Sequence, residues 1–302
     1  TVVVDLGVIY PSGFLKPDEK VTEESKAPLV LCRCEECGLI QLKHTVDLDL
    51  MYRQYWYASA LNKSMVRSLQ DVVDDIKEKV TFLPEDIIVD IGCNDGTMLK
   101  MFPSNTYKVG FDPALNLHKP DCSMFVNDYF TAGAYKFVFE KKAKVITAIA
   151  MFYDLPSPVD FAKDVASILD EDGIFVIQFT DLRSMFEACA FDNICNEHLE
   201  YYGLEDVVNI LNRADLRVID VSHNDVNGGS IRVTATHRDS HRKSAEVVVD
   251  TLVDEWKYFK DHDFGYFLGR INLTKAKVRS FIEWTKKSNN TLHLLGASTK
   301  GN

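Results

Sequence analysis

Four short apolar runs constrain this chain more than anything else in it: IIVDI (87–91), YKVGFD (107–112), KVITAIA (144–150) and GIFVIQF (173–179). Each is rich in β-branched or aromatic residues and apolar almost throughout, as in strands covered on both faces. Helical spacing fills the intervals. Apolar residues recur at Leu61, Met65, Leu69, Val72 and Ile76, and again at Phe161, Val165, Ile168 and Leu169. A further helix is predicted from Thr97 through MLKMF, and another over Leu204–Leu211. Alternating strands and helices predict an α/β fold with a doubly wound, mainly parallel sheet. After that the period changes to two in LRVIDVSHN and SIRVTATH, which predicts an antiparallel pair closing the sheet. Beyond Ser244 a helical face returns at Phe267, Ile271, Val278 and Ile282, and TLHLLGASTKGN reads as a new strand entering a new loop.

Charge and hydropathy exclude several functions. A net charge of −11 disfavours binding nucleic acid, which needs clustered Lys and Arg. No apolar run approaches the roughly 18 residues that span a bilayer, and no charged-then-apolar leader opens the sequence, so a soluble, cytoplasmic protein is expected. Seven cysteines in 302 residues, without framework spacing, fit a reducing compartment. Two of them, Cys34 and Cys37, form a CxxC pair with the bite for half of a tetrahedral zinc site. Ordinary reduced thiols are the alternative.

The loop VDIGCNDGTML follows the first run. In a doubly wound sheet, ligands sit at the carboxyl ends of the strands, where glycine admits a ligand and helix N-terminal amides face it. Gly92 and Gly96 stand at that place. Their spacing, Asp-x-Gly-x-x-x-Gly, lacks the Gly-x-Gly-x-x-Gly that cradles a pyrophosphate. Asp112 ends the next strand about twenty residues beyond Gly92, where a carboxylate can accept both hydroxyls of a ribose. Ribose without pyrophosphate points to S-adenosylmethionine.

Taken with CEECGLIQLKHTVD, YWYASALNKSM, FDNICNEHLEYYGL, NDVNGGSIRV and GASTKGN, in that order, the chain resembles the S-adenosylmethionine-dependent sugar C-methyltransferases of deoxysugar and surface-polysaccharide pathways. The resemblance implies an N-terminal zinc-binding module (1–55), a class I methyltransferase domain with a Rossmann-like sheet (56–240), and a helical linker entering a Rossmann-like C-terminal domain (241–302). It implies that a first CxxC precedes Thr1. Asp90, Gly92, Asn94 and Gly96 would line the methionine and ribose of the cofactor, Asp112 its ribose, and Asp128 with Tyr129 its adenine. Tyr55, Tyr57, Ser59 and Asn62 would contact substrate and cofactor, and Asn227 and Arg232 would border the pocket of a nucleotide-linked sugar. His198 occupies the place of the family's general base. Many relatives carry Tyr or His around Cys195 and Asn196, so a contact there is changed.

Methylating a carbon next to a ketone needs a base whose pKa lies near 7 and a stabilised enolate oxygen. Imidazole meets the first need. Glu197 would orient the ring or bind a sugar hydroxyl, and Tyr201 or Tyr57 would donate to the oxyanion. Alternatively, His198 caps the helix that follows. A sugar O-methyltransferase would need the same loop and base, and a catalytically idle binding subunit is a further reading. Amino methylation is disfavoured, since AIAMFYDLP lacks Asp/Asn-Pro-Pro-Tyr/Phe.

Overall fold

The computed structural model describes residues 1–11, 22, 26–55 and 57–293. The expected strand and loop in LGASTKGN lie outside them from residue 294 onward, as does Trp56. In chain order the elements are β1 (Val2–Ile9), β2 (Ala27–Arg33), β3 (Ile40–Leu42), α1 (Leu48–Tyr52), α2 (Lys63–Lys79), β4 (Ile87–Ile91), β5 (Tyr107–Phe111), β6 (Met124–Val126), α3 (Ala132–Lys136), β7 (Ala143–Ile149), α4 (Pro158–Ile168), β8 (Leu169–Thr180), α5 (Leu182–Ala188), β9 (Glu200–Tyr201), α6 (Leu204–Asn212), β10 (Leu216–Asn224), β11 (Ser230–His237), α7 (Glu246–Asp261) and α8 (Phe264–Lys287).

Seven strands form the main sheet in the order β10-β11-β8-β7-β4-β5-β6. The pairs among β8, β7, β4, β5 and β6 are parallel; β11 runs antiparallel to both β8 and β10. Alternation along each strand sorts side chains into two cores. Ile87, Val89, Ile91, Ile146, Phe175 and Ile177 join α4 and α6 on one face. Ile88, Val145, Ile174 and Val176 meet Leu69, Val72, Val73 and Ile76 of α2 on the other. That two-sided burial is why these strands carry almost no polar residue.

The helix expected from Thr97 is a single 3-10 turn, Leu99–Met101. Pro103 has no N–H to extend a helix and disfavours helical geometry at Phe102, so only six residues from Thr97 were available. The face expected after Ser244 is half realised: Phe267 and Ile271 are buried, whereas Val278 is 52% exposed.

A second, antiparallel sheet has the order β1-β2-β3-β9. Its fourth strand belongs to the motif NEHLEYY, with Ile40 opposite Tyr201 and Gln41 opposite Glu200. The other end of that motif is gripped by α7. Glu255 accepts from the Leu204 N–H with both carboxylate oxygens (3.0 Å each) and from Glu205 at 3.3 Å, capping α6. Residue 203 must be glycine for this approach, since a Cβ there would meet Glu255 Oε1 at 2.1 Å.

Burial pushes the Glu255 carboxyl up to about 7, reinforced by Asp181 and opposed by the two amide donors. Its folded value stands above the ordinary 4.5, so its contribution to stability is full below that value and is lost as pH rises through about 7. Glu255→Gln cannot titrate. The difference in unfolding free energy, wild type minus variant, should therefore decline between pH 4.5 and 7 in urea titrations; a pH-independent difference would refute the assignment.

Candidate active site

The turn after β4 places Gly92 (φ 72°), Asn94 (φ 52°) and Gly96 (φ 72°) in the left-handed region. Glycine and asparagine tolerate that conformation best. Space matters as well as angle: a Cβ on Gly92 would meet Met151 Cγ at 3.2 Å, and one on Gly96 would meet Pro120 Cβ at 2.6 Å. The loop amides bond inward. Gly92 and Cys93 donate to the Phe111 carbonyl (2.8 and 3.0 Å), Gly96 to Cys93 O (2.9 Å), and Asn94 to Asp112 Oδ2 (2.8 Å). The expectation of helix N-terminal amides facing a ligand is thus corrected, because no α-helix begins there.

Asp112 is 7% exposed, its Oδ1 accepting from the Ala114 N–H at 2.9 Å. Burial raises its carboxyl and these two amides oppose the rise. Each oxygen accepts one amide and keeps a lone pair, so the group can still receive two ribose hydroxyls. Asp90 lies beneath, bonded to Thr147 Oγ1 at 2.7 Å, and burial pushes it up to about 7.

A strap from α1 to α2 crosses this loop. Asn94 Oδ1 accepts from Ser59 N (2.9 Å), Asn94 Nδ2 donates to Tyr57 O (2.9 Å), and Asp95 Oδ2 accepts from Ala60 N (2.8 Å). Tyr55 is held through its backbone by both ends of the Asn116 amide. At the far side, Arg53 pairs with Asp128 at 3.1 Å and covers the Tyr129 ring, whose hydroxyl donates to Asp49 at 3.0 Å. Asp128 and Tyr129 therefore stand together beside Asp112, whose N–H bonds Val126.

Beyond the strap lies a packed cluster of polar and aromatic side chains around His198. His198 is 9% exposed; its ring lies 4.2 Å from that of Tyr153, and its Nδ1 is 2.9 Å from Asn193 O. A carbonyl only accepts, so Nδ1 carries the proton and Nε2 is the basic nitrogen. Helix capping is not its task, because Asp206 and Glu255 cap α6. Cys195, Glu197 and His198 bring a thiol sulfur, a carboxylate oxygen and a ring nitrogen within 4.8 Å of one another. Tyr52 donates to Glu197 O at 2.8 Å. Both amide atoms of Asn196, and Asp154 Oδ1, are buried without a hydrogen-bond partner among the described residues.

Other sequence-predicted residues are engaged structurally. Tyr201 accepts from the Cys195 N–H at 3.2 Å. Asn62 caps α2 through Ser64 and Met65. Asn227 (φ 54°) offers its carbonyl to Asn193, the residue that holds His198. Arg232, 4% exposed, ties β11 to α2 through Asp71 at 2.6 Å and to Gln178 at 3.1 Å. Tyr57 lies at the rim, 38% exposed. Sequence reasoning passed over Arg53, Asn116, Tyr52, Tyr153 and Asp154; a polar residue just after the apolar run of β7 was the available signal for the last.

Cys34 and Cys37 occupy the turn between β2 and β3, closed by Cys34 N to Leu39 O (2.8 Å) and Gly38 N to Cys34 O (3.1 Å). The N–H groups of Cys37 and Glu36, with the Cys37 side chain, pull the Cys34 thiol below its ordinary value. A thiolate cradled by amides suits a metal ligand. Among the described residues no third donor joins them.

Residues 61–221 match the family model described as a methyltransferase domain. The chain belongs to the S-adenosylmethionine-dependent methyltransferases. Its remaining parts match two further models, one described as a "putative zinc binding domain" (1–52) and one as a C-methyltransferase C-terminal domain (225–302). The methyltransferase is 27% identical to C-methyltransferase NovU of Streptomyces niveus over 308 aligned positions, covering 99% of this chain and 73% of that one. Solved structures similar to it include an S-adenosylmethionine-dependent methyltransferase of Clostridium acetobutylicum (12% identity, 57% of this chain and 92% of that one, TM-score 0.43) and the magnesium protoporphyrin IX methyltransferase of Synechocystis (12%, 58% and 78%, TM-score 0.40).

Two outcomes follow from this geometry. Asp112→Ala removes the acceptor of the Asn94 and Ala114 amides and the expected acceptor of the ribose, so calorimetry should show S-adenosylmethionine affinity reduced well over tenfold; unchanged affinity in a folded variant would defeat the assignment. With an N-terminal extension supplying a second CxxC, elemental analysis should find one zinc per chain, lost in Cys37→Ser. Absence of zinc would remove the metal from this turn.

Proposed function

We propose that this methyltransferase transfers the methyl group to a carbon beside the ketone of a nucleotide-linked 4-keto deoxysugar, with His198 as the base that generates the enolate. The observation that carries the reading is the His198–Asn193 contact at 2.9 Å, which leaves Nε2 basic among aromatic rings. The match of residues 225–302 to a C-methyltransferase C-terminal domain supports carbon as the acceptor, and so does the name of the Streptomyces relative.

In this reading Asp90, Gly92, Asn94, Gly96 and Asp112 hold the methionine and ribose of the cofactor, and Asp128 and Tyr129 hold its adenine. Bound there, S-adenosylmethionine supplies a methyl group activated on a sulfonium sulfur. The strap of Tyr55 and Tyr57, fastened by Asn94 and Asp95, excludes water. His198 Nε2 removes the proton, and Asn193 O steadies the imidazolium through Nδ1–H. Glu197 binds a sugar hydroxyl. Asn62, Asn227 and Arg232 act on the pocket by positioning what borders it, namely α2, Asn193 and the ends of β8 and β11. Zinc at Cys34 and Cys37 would order the β2–β3 turn and, through β3, the strand that carries Glu200 and Tyr201.

His198→Asn keeps a polar side chain of similar reach but cannot act as a base near neutral pH. Turnover should fall by roughly 10²–10⁴ while S-adenosylmethionine affinity changes little. A variant that retains the wild-type rate would place the base elsewhere.

A further inference from the structure

β5 and β6 are parallel neighbours with Phe111 opposite Val126, so the acids that follow them, Asp112 and Asp128, stand at adjoining strand ends on the carboxyl edge of the sheet. The two ends are tied together. Asn127 Nδ2 donates to the carbonyls of Asp112 (2.8 Å) and Ala114 (2.9 Å). Asp112 is buried and bonded by two amides, whereas the Asp128 side chain is 62% exposed and would turn about its own torsions if nothing held it. Arg53 holds it, from the residue just past α1 and 75 positions away in the chain.

The Arg53 guanidinium is itself fixed on three sides. Its Nε donates to Asp49 Oδ1 at 3.1 Å, its Nη2 to Asp128 Oδ1 at 3.1 Å, and its Cζ stands 4.9 Å from the centre of the Tyr129 ring. Asp49 Oδ1 also accepts from the Tyr129 hydroxyl at 3.0 Å, which closes the cluster. A planar fork makes these contacts at once; a lysine ammonium is a point charge on a flexible stem. The consequence lies in the two oxygens of Asp128. Oδ1 accepts from Arg53 and from the Tyr129 N–H (2.9 Å), and among the described residues no bond falls on Oδ2. One oxygen is clamped, and the other, on an exposed side chain, is left to a ligand. A carboxylate only accepts, so what fits Oδ2 is an N–H or O–H donor.

We infer that Arg53 is a positioning residue for cofactor recognition: by clamping Oδ1 it aims Asp128 Oδ2 at the 6-amino group of the adenine, and so makes this site select adenine over a 6-oxo purine. The inference rests on the reading that places the adenine at Asp128 and Tyr129. A 6-amino group donates to a carboxylate, whereas a 6-oxo group turns an acceptor toward it. Bonds to an ionised acceptor are stronger than neutral ones, and a carboxylate already oriented gives up little rotamer freedom when the bond forms. Arg53 acts through Asp128 and has no part in the chemical step.

The test measures calorimetric affinities of the whole chain for S-adenosylhomocysteine and for S-inosylhomocysteine, its 6-oxo analogue. Wild type should prefer the adenine compound by at least about tenfold. Arg53→Ala should weaken S-adenosylhomocysteine binding by roughly five- to tenfold and leave S-inosylhomocysteine within about twofold of wild type, since the freed carboxylate turns away from the 6-oxo group. Arg53→Lys should fall between the two. If circular dichroism shows that Arg53→Ala does not fold, Asp49→Ala, which loosens the guanidinium without touching Asp128, should shift the preference in the same direction. A wild-type preference in the folded variant overturns the inference. So does an equal loss for both compounds, the mark of a merely structural role, or tighter S-adenosylhomocysteine binding, the mark of an arginine that blocks the site. Asp128→Ala separates the inference from the reading beneath it, and should abolish the preference. If it does while Arg53→Ala changes nothing, the inference alone falls; if Asp128→Ala keeps the preference, the adenine lies elsewhere and the reading falls with it.

Discussion

Asn94 is the residue on which the geometry of the glycine loop depends. Its left-handed backbone, with φ at 52°, turns the N–H toward Asp112 and the side chain toward the strap, so one residue joins two strands of the sheet to a segment far away in sequence. Its amide is one of the few groups that can both accept from Ser59 N and donate to Tyr57 O. An aspartate could accept but not donate, and any β-branched residue would resist the backbone angle. The loop is thus positioned by side-chain bonding more than by the end of a helix.

The sheet was legible because burial on both faces leaves a nearly unbroken apolar record, as in IIVDI and GIFVIQF. The closing antiparallel pair was legible for a different reason, a clean change of period at LRVIDVSHN. What failed to show was of two kinds, local stops and caps such as Pro103 and Asn62, and whatever depends on neighbours distant in sequence. Thr97–Phe102 has helical composition, yet Pro103 permits only one 3-10 turn. Arg232 and Asn62 carry the polar groups that suit a sugar, but Asp71, Gln178, Ser64 and Met65 take them up. Asp154 sat unnoticed in AIAMFYDLP because its Oδ1 is closed off by packing, which no local pattern records. The place of His198 beside Tyr153 likewise arises from a contact across 45 residues of chain between β7 and β9.

Carboxyls held in low dielectric recur through this protein. Asp90 and Glu200 are each pushed up to about 7, and Asp206 to about 6, chiefly by burial. Each has a hydrogen-bond donor, respectively Thr147, Tyr202 and the Gly203 N–H, which makes the burial tolerable. Glu200, in β9, and Asp206, in the first turn of α6, both follow His198 in the chain.

The segment 193–203 has no regular structure long enough to hold itself. Its shape is borrowed from both flanks: β3, which follows the Cys34–Cys37 turn, pairs with it on one side, and Glu255 of α7 clasps the helix that leaves it on the other. The portion matching the methyltransferase model, 61–221, includes neither partner. A fragment trimmed to that portion would lose the frame of 193–203 and also Tyr57, Ser59 and Ala60, which fasten the glycine loop through Asn94 and Asp95, so a change at either junction reshapes the site from a distance.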